Sequence, residues 1–228
     1  MKISVIIPAY NEEKNLPVLI DALRNQTEKD FEIIVVDNNS KDKTSEVAKK
    51  LADKTYECYE QGISATRNLG ASKVQSEIIA FLDADSIPDK NWVKTIKDNF
   101  KDPKLSAISG LSIFENGFYI TNSICYIAFF TMKISNLFGN CLIFGNNLAI
   151  KKEIFDKVGG FDKIMQEDFF LAKKLKKINA KVRNKNVMKV TLSARRMKKA
   201  GTLNVLFIWA KASFIKQHSY SYPLHDSI

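Results

Sequence analysis

The chain has 228 residues, 45% of them hydrophobic, enough to bury one sizeable core. Its formal net charge of +10 suits an anionic partner, whether nucleic acid, a phosphate-rich ligand or an anionic membrane surface. Three cysteines, Cys58, Cys125 and Cys141, form no CxxC pair, which argues against a zinc or disulfide framework and suits buried thiols in a reducing compartment.

In chain order, MKISVIIPAY carries one lysine and a short strand-like run stopped at Pro8. It lacks the long apolar region and cleavage site of a signal peptide, so a cytoplasmic protein is expected. Residues 3–9 predict a strand, and 12–26 predict a helix with Leu16, Leu19, Ile20 and Leu23 at helical spacing. FEIIVVD (31–37) predicts a second buried strand, and NNSKD a turn with cap residues. A helix over 43–53, a weaker strand in KTYECYE and a helix over 63–74 follow. EIIAFLD (77–83) is the next apolar strand, with a helix through KNWVKTIKDNF after it.

This alternation predicts an α/β fold with a parallel sheet covered by helices on both faces. Ligands of such sheets lie beyond the carboxyl ends of the strands, near the topological switch point. Immediately after the predicted strands stand Ala9, Tyr10, Asn11 and Glu12; Asp37, Asn38, Asn39 and Ser40; and Asp83, Ala84 and Asp85. A lone aspartate there reads first as a helix cap. Three polar clusters at one sheet edge favour a site.

The second half is less regular. KLSAISGLSIF (104–114) predicts one or two strands. Phe118 to Ile150 is unusually apolar, and its densest part, SICYIAFFTMK (123–133), is shorter than a membrane-spanning helix needs. Residues 151–163 are amphipathic and turn at Gly159 and Gly160, and 166–182 predict a helix leading into a strand. With no repeat and no clear linker, one domain over 1–190 and a basic, amphipathic extension over 191–228 are expected.

Asp83 and Asp85 are two carboxylates one residue apart. Such a pair can share a divalent cation, or one can bind the cation while the other takes a sugar hydroxyl. Hard oxygen ligands suit magnesium or manganese, usually shared with substrate phosphates. Alone, Asp-x-Asp is a weak signal. Its surroundings strengthen it: SVIIPAYNEE, VVDNNSKDKT (35–44), GISATRNLGA (62–71), IAFLDADSIPDKNWV (79–93) and GNNLAIKKEIFDKVGGFDKIMQEDFFLAKKL (145–175) occur in this order. Together they resemble family 2 glycosyltransferases over about residues 3–182.

The resemblance implies a GT-A fold, a Rossmann-like and mostly parallel central sheet with helices on both faces, here followed by a C-terminal helical extension. The nucleotide-sugar half would span 1–115 and the acceptor half 116–190. It implies an inverting transfer from a nucleotide-diphosphate sugar, with a UDP-sugar favoured over a GDP-sugar. Pro8, Ala9, Tyr10 and Glu12 match the nucleoside-holding loop, and Asp37 matches the acid that accepts from a ring N–H of the base. Arg67 and Asn68 match basic and polar positions at the nucleotide, and Gly62 and Gly70 around them suggest close backbone approach. Asp83, with Ala84 beside it, would contact ribose or share the magnesium or manganese ion that Asp85 ligates.

Asp168 matches the general base that deprotonates the acceptor hydroxyl, and Glu167 its helper, although both also suit a helix cap. Arg195 and Arg196 either fold over the diphosphate or belong to a basic surface segment. The Gln-x-x-Arg-Trp block of processive synthases is absent, which disfavours processive synthesis. After Gly201 an apolar stretch with Trp209 and Phe214 is bracketed by Lys198, Lys199, Lys211 and Lys216. Together with 118–144, it suits peripheral contact with the inner face of the cell membrane and a polyprenyl-linked acceptor. A helix packed on the core or in a dimer would look the same. His218 and His225 lack metal-ligand spacing. A sugar nucleotidyltransferase would open with a glycine-rich phosphate loop, and IIPAYNEEKN has no glycine. A basic binding module leaves the five ordered blocks unexplained, and no nucleic-acid signature is present.

Overall fold

The computed structural model describes residues 1–115, 119–164, 166–195 and 198. In chain order these form β1 (Ile3–Ala9), α1 (Leu16–Arg24), β2 (Phe31–Asp37), α2 (Thr44–Leu51), β3 (Lys54–Glu57), α3 (Ile63–Ser72) and β4 (Ile78–Leu82). Then come β5 (Ser86–Pro88), α4 (Trp92–Asn99), β6 (Ala107–Phe114), α5 (Tyr119–Leu137), β7 (Asn147–Lys151), α6 (Lys152–Lys157), α7 (Glu167–Lys177) and β8 (Val182–Leu192).

Strand side chains alternate between faces, and in β1, β2 and β4 both faces are apolar. Ile3, Val5, Ile7, Ile33, Val35, Ala80 and Leu82 pack with Leu19 of α1, Ala48 of α2 and Trp92 and Ile96 of α4. Ile6, Ile34, Val36, Ile79 and Phe81 pack with Ala71 of α3, Phe155 of α6 and Leu171 and Leu175 of α7. A continuous apolar strand therefore means a strand covered twice. The expected helical layers on both faces are present.

The eight strands form one sheet in the order β3-β2-β1-β4-β7-β6-β8-β5. β1 pairs in parallel with β2 and β4, and β2 with β3, as the alternation predicts. Beyond β4 the sheet becomes mixed. β7 lies antiparallel between β4 and β6, and β5 runs antiparallel to β8, while β6 and β8 are parallel. Residues 104–114 contribute one strand, β6, whose register against β8 shifts between Gly110 and Leu111.

Asn147 holds that irregularity together. It is fully buried, its Nδ2 donates to the carbonyls of Leu111 (3.1 Å) and Met188 (2.9 Å), and its Oδ1 accepts from Trp92 Nε1 (2.9 Å). One amide thereby satisfies three groups in the core.

The apolar run after Phe118 resolves into a 19-residue helix, α5, with only Thr121, Phe129 and Met132 buried. Ile120, Ile127, Phe130 and Leu137 are exposed on it, as is Phe138 just beyond. No helix among the described residues is long and apolar enough to cross a membrane. Cys58 and Cys141 are buried free thiols and Cys125 a half-buried one. Arg196, His218, His225 and the apolar stretch 203–215 lie outside the described residues.

Candidate active site

Parallel pairing brings the carboxyl ends of β1, β2 and β4 to one edge, with Ala9 opposite Asp37 in the ladder. From β1 the chain builds β2 and β3 on one side, then crosses to β4 on the other. The switch point thus lies between β1 and β4. An open cleft of about 560 Å³ occupies it, lined by Pro8, Ala9, Tyr10 and Glu12 from one strand end and Asp83, Ala84 and Asp85 from the other. Seven residues expected at a donor site therefore share one cavity.

Three further residues line the cleft: Asn38, from the polar cluster after β2, and Ile63 and Thr66 of α3, which carried no signal in the sequence. Asn38 Nδ2 donates to the carbonyls of Cys58 (2.8 Å) and Glu60 (2.7 Å), and its Oδ1 accepts from the Gly62 N–H (2.9 Å). It shapes the turn into α3, where Gly62 takes φ 118°, a value glycine tolerates freely. The tetrad Asp37 to Ser40 had signalled this position without separating its members. Asp37 itself is buried just behind the cleft and accepts from Ser40 Oγ.

Glu12 is the tie of the first loop. Its N–H donates to Thr44 Oγ1 (2.7 Å), its Oε2 accepts from Asn15 Nδ2 (2.6 Å), and its Oε1 accepts from Arg195 Nη2 (2.6 Å). The Asp85 carbonyl accepts from the Ser193 N–H (3.0 Å), so residues just past β8 close over the same corner.

Arg67 is 2% exposed and is not among the cleft-lining residues. Its Nη2 donates to Asp83 Oδ1 (2.7 Å), its Nη1 to Glu167 Oε1 (2.8 Å), and its guanidinium stacks 5.3 Å from the centroid of the Phe161 ring. The Asn68 side chain brackets Phe161, donating to its carbonyl (2.8 Å) and accepting from its N–H (3.0 Å). Gly70 explains the tight seat of α3: a Cβ there would meet Ile6 Cγ2 at 2.5 Å and Val36 Cγ2 at 3.0 Å.

Glu167 and Asp168 open α7, preceded by Gln166 at a left-handed φ of 63°. Asp168 Oδ1 accepts from the Phe169 N–H (2.8 Å), and the Gly145 N–H points at its Oδ2 at 3.4 Å. Burial pushes both carboxyls above their ordinary values; Arg67 opposes the rise in each, and the charges of Asp168 and Asp83 reinforce it in Glu167.

Among the described residues no group of three or more His, Cys, Asp or Glu could hold a metal unaided. Asp83 and Asp85 nevertheless suit a magnesium or manganese ion, which binds through one or two carboxylates and takes its remaining ligands from substrate phosphates and water. Asp83 commits one oxygen to Arg67.

The sequence profile described as Glycosyl transferase family 2 matches residues 4–159. Glycosyltransferase AglE of Haloferax volcanii is 29% identical over 168 residues, 70% of this chain and 55% of that protein. An Escherichia coli protein, UDP-Glc:alpha-D-GlcNAc-diphosphoundecaprenol beta-1,3-glucosyltransferase WfaP, is 27% identical over 196 residues, 82% of this chain and 74% of its own length. Among solved structures, the mannosyltransferase PcManGT from Pyrobaculum calidifontis, in complex with GDP-Man and Mn2+, superposes with a TM-score of 0.71. It covers 94% of this chain and 65% of its own at 20% identity, a likeness of fold.

Proposed function

The chain belongs to Glycosyl transferase family 2 and has the GT-A fold, and from that premise we propose that it transfers a sugar, with inversion, from a nucleotide-diphosphate sugar to an acceptor hydroxyl or phosphate. One observation carries this reading. The cleft at the β1–β4 switch has the Asp83 and Asp85 carboxylates on its wall, and Arg67 links Asp83 to the acid pair that opens α7.

In this reading the loop Pro8 to Glu12, with Asp37 and Asn38, cradles the nucleoside. Asp85 and Asp83 would hold a magnesium or manganese ion, which would supply charge neutralisation to the diphosphate. Asp168 takes the proton of the acceptor hydroxyl as that oxygen attacks the anomeric carbon. The bond to the diphosphate breaks on the opposite face, and the nucleoside diphosphate leaves. Glu167, held by Arg67, positions the acceptor.

A UDP-sugar is the favoured donor, in keeping with the name of WfaP, and the GDP-Man of PcManGT makes a GDP-sugar the second. A lipid-linked acceptor fits the diphosphoundecaprenol in the same relative's name. The exposed apolar face of α5 supports peripheral contact with the cytoplasmic face of a membrane, since the helix carries Lys133 and no carboxylate.

The test is donor hydrolysis across a panel of UDP- and GDP-sugars with manganese or magnesium. Turnover of one donor, lost in Asp168→Asn and made metal-insensitive in Asp85→Ala, is expected. No turnover and no nucleotide binding with any donor would overturn the reading.

A further inference from the structure

Resting on that functional reading, we propose that Arg67 is a positioning residue: it sets the distance between the donor cleft and the first turn of α7, and with Gly145 it aims Asp168, without touching the nucleotide.

Four observations converge on it. Arg67 is 2% exposed and is the largest charged side chain in the core. Its two terminal nitrogens point in different directions, one to Asp83 on the cleft wall at 2.7 Å and one to Glu167 at the start of α7 at 2.8 Å. The next residue, Asn68, clamps both backbone groups of Phe161, whose ring also lies under the Arg67 guanidinium. Two consecutive residues of α3 therefore fasten the stretch that leads into α7. Gly145 lies close to both Arg67 and Asp168: a Cβ there would lie 3.1 Å from Arg67 Nη1 and 3.3 Å from Asp168 Cβ.

The chemistry requires an arginine. A guanidinium fork can serve two carboxylates at once, whereas a lysine ammonium on a flexible stem cannot span them. Without the cation, Asp83 and Glu167 would be left half-buried and mutually repulsive. The acids of α7 would then drift from the anomeric carbon, and a misplacement of about 1 Å costs on the order of a hundredfold in rate.

The substitution Arg67→Lys tests this, with Gly145→Ala as a second variant that leaves the guanidinium in place. Calorimetry of UDP and GDP with manganese should give dissociation constants within about twofold of wild type, while donor turnover at saturation falls at least about tenfold. Amide exchange at Phe169 and Phe170 should accelerate by about tenfold or more in Arg67→Lys at matched melting temperature. Weaker nucleotide binding with unchanged saturated turnover would make Arg67 a nucleotide ligand and overturn the proposal. So would turnover within about twofold of wild type in both variants. Should the wild-type protein bind no nucleotide, the functional reading falls, and the exchange rates alone decide: unchanged protection at the start of α7 overturns the positioning role.

Discussion

Arg195 Nη2 stands 2.6 Å from Oε1 of Glu12, a cleft-lining residue 183 positions away. Glu12 is buried and keeps a second partner in Asn15, whereas Arg195 is about half exposed. The pair is thus a loose tie on a firm loop. Removing it by Arg195→Ala should cost less than about 1 kcal/mol of stability. If the guanidinium turns from Glu12 to a diphosphate when donor binds, nucleotide affinity should drop by about tenfold, as for one hydrogen bond to a charged group. Calorimetry with UDP and manganese measures this. Unchanged affinity would leave Arg195 as a tie of the loop alone.

Asp168 and Glu167 set a pH signature. Both carboxyls are raised by burial, so the folded protein holds their protons more tightly than the unfolded chain. Their contribution to stability is complete below the ordinary carboxylate range and is lost as pH rises through the raised values. Asp168→Asn should therefore melt a few degrees above wild type at neutral pH, and the gap should close in acid. In the proposed mechanism transfer needs Asp168 ionised, so the acidic limb of the wild-type rate should lie above 3.8, the ordinary aspartate value. Arg67 on α3 opposes that rise, and Glu167 beside it shares the site. A thermal melt series and a pH–rate profile check both directions.

The exposed face of α5 gives a third expectation. Ile127 and Phe130 are 65% and 61% exposed, while Phe129 and Met132 anchor the helix to the body. Ile127→Glu combined with Phe130→Glu should reduce binding to vesicles containing anionic lipid by about tenfold, because two apolar side chains and their interfacial burial are lost. Hydrolysis of a soluble donor should be unchanged. Co-sedimentation alongside a hydrolysis assay separates the two.

Asn147 offers a purely structural test. Replacing it by Leu orphans two carbonyls and the Trp92 indole N–H in the core. With about 1–3 kcal/mol for each buried group left unpaired, a loss of roughly 3 kcal/mol or more is expected. Urea unfolding reads it as a fall in midpoint without a change in slope. A loss under about 1 kcal/mol would mean the neighbouring groups find other partners.

Much of the first half of the fold was legible in the chain because its signals are local. Ile3 to Ala9, Phe31 to Asp37 and Ile78 to Leu82 are continuous apolar runs, and such runs, alternating with helical periodicity, describe parallel strands buried twice. Once those strands are parallel, whatever follows each must meet at one edge, which is why Tyr10, Asp83 and Asp85 share a cleft. The apolar stretch after Phe118 was less readable. Its composition alone does not separate a buried helix from the exposed one observed, since exposure depends on what else packs there.

What the sequence determined by itself was the period of each element, the layered fold and the chemistry assembled at one sheet edge. Only the tertiary structure decided that β7 runs against β4, that Asn68 clamps Phe161, and that Arg67 joins Asp83 to Glu167. The reason is separation along the chain. Periodicity records what a residue does relative to its near neighbours, whereas Arg67 and Glu167 lie 100 residues apart and meet only after α3, the turn at Phe161 and α7 have packed on one face of the sheet.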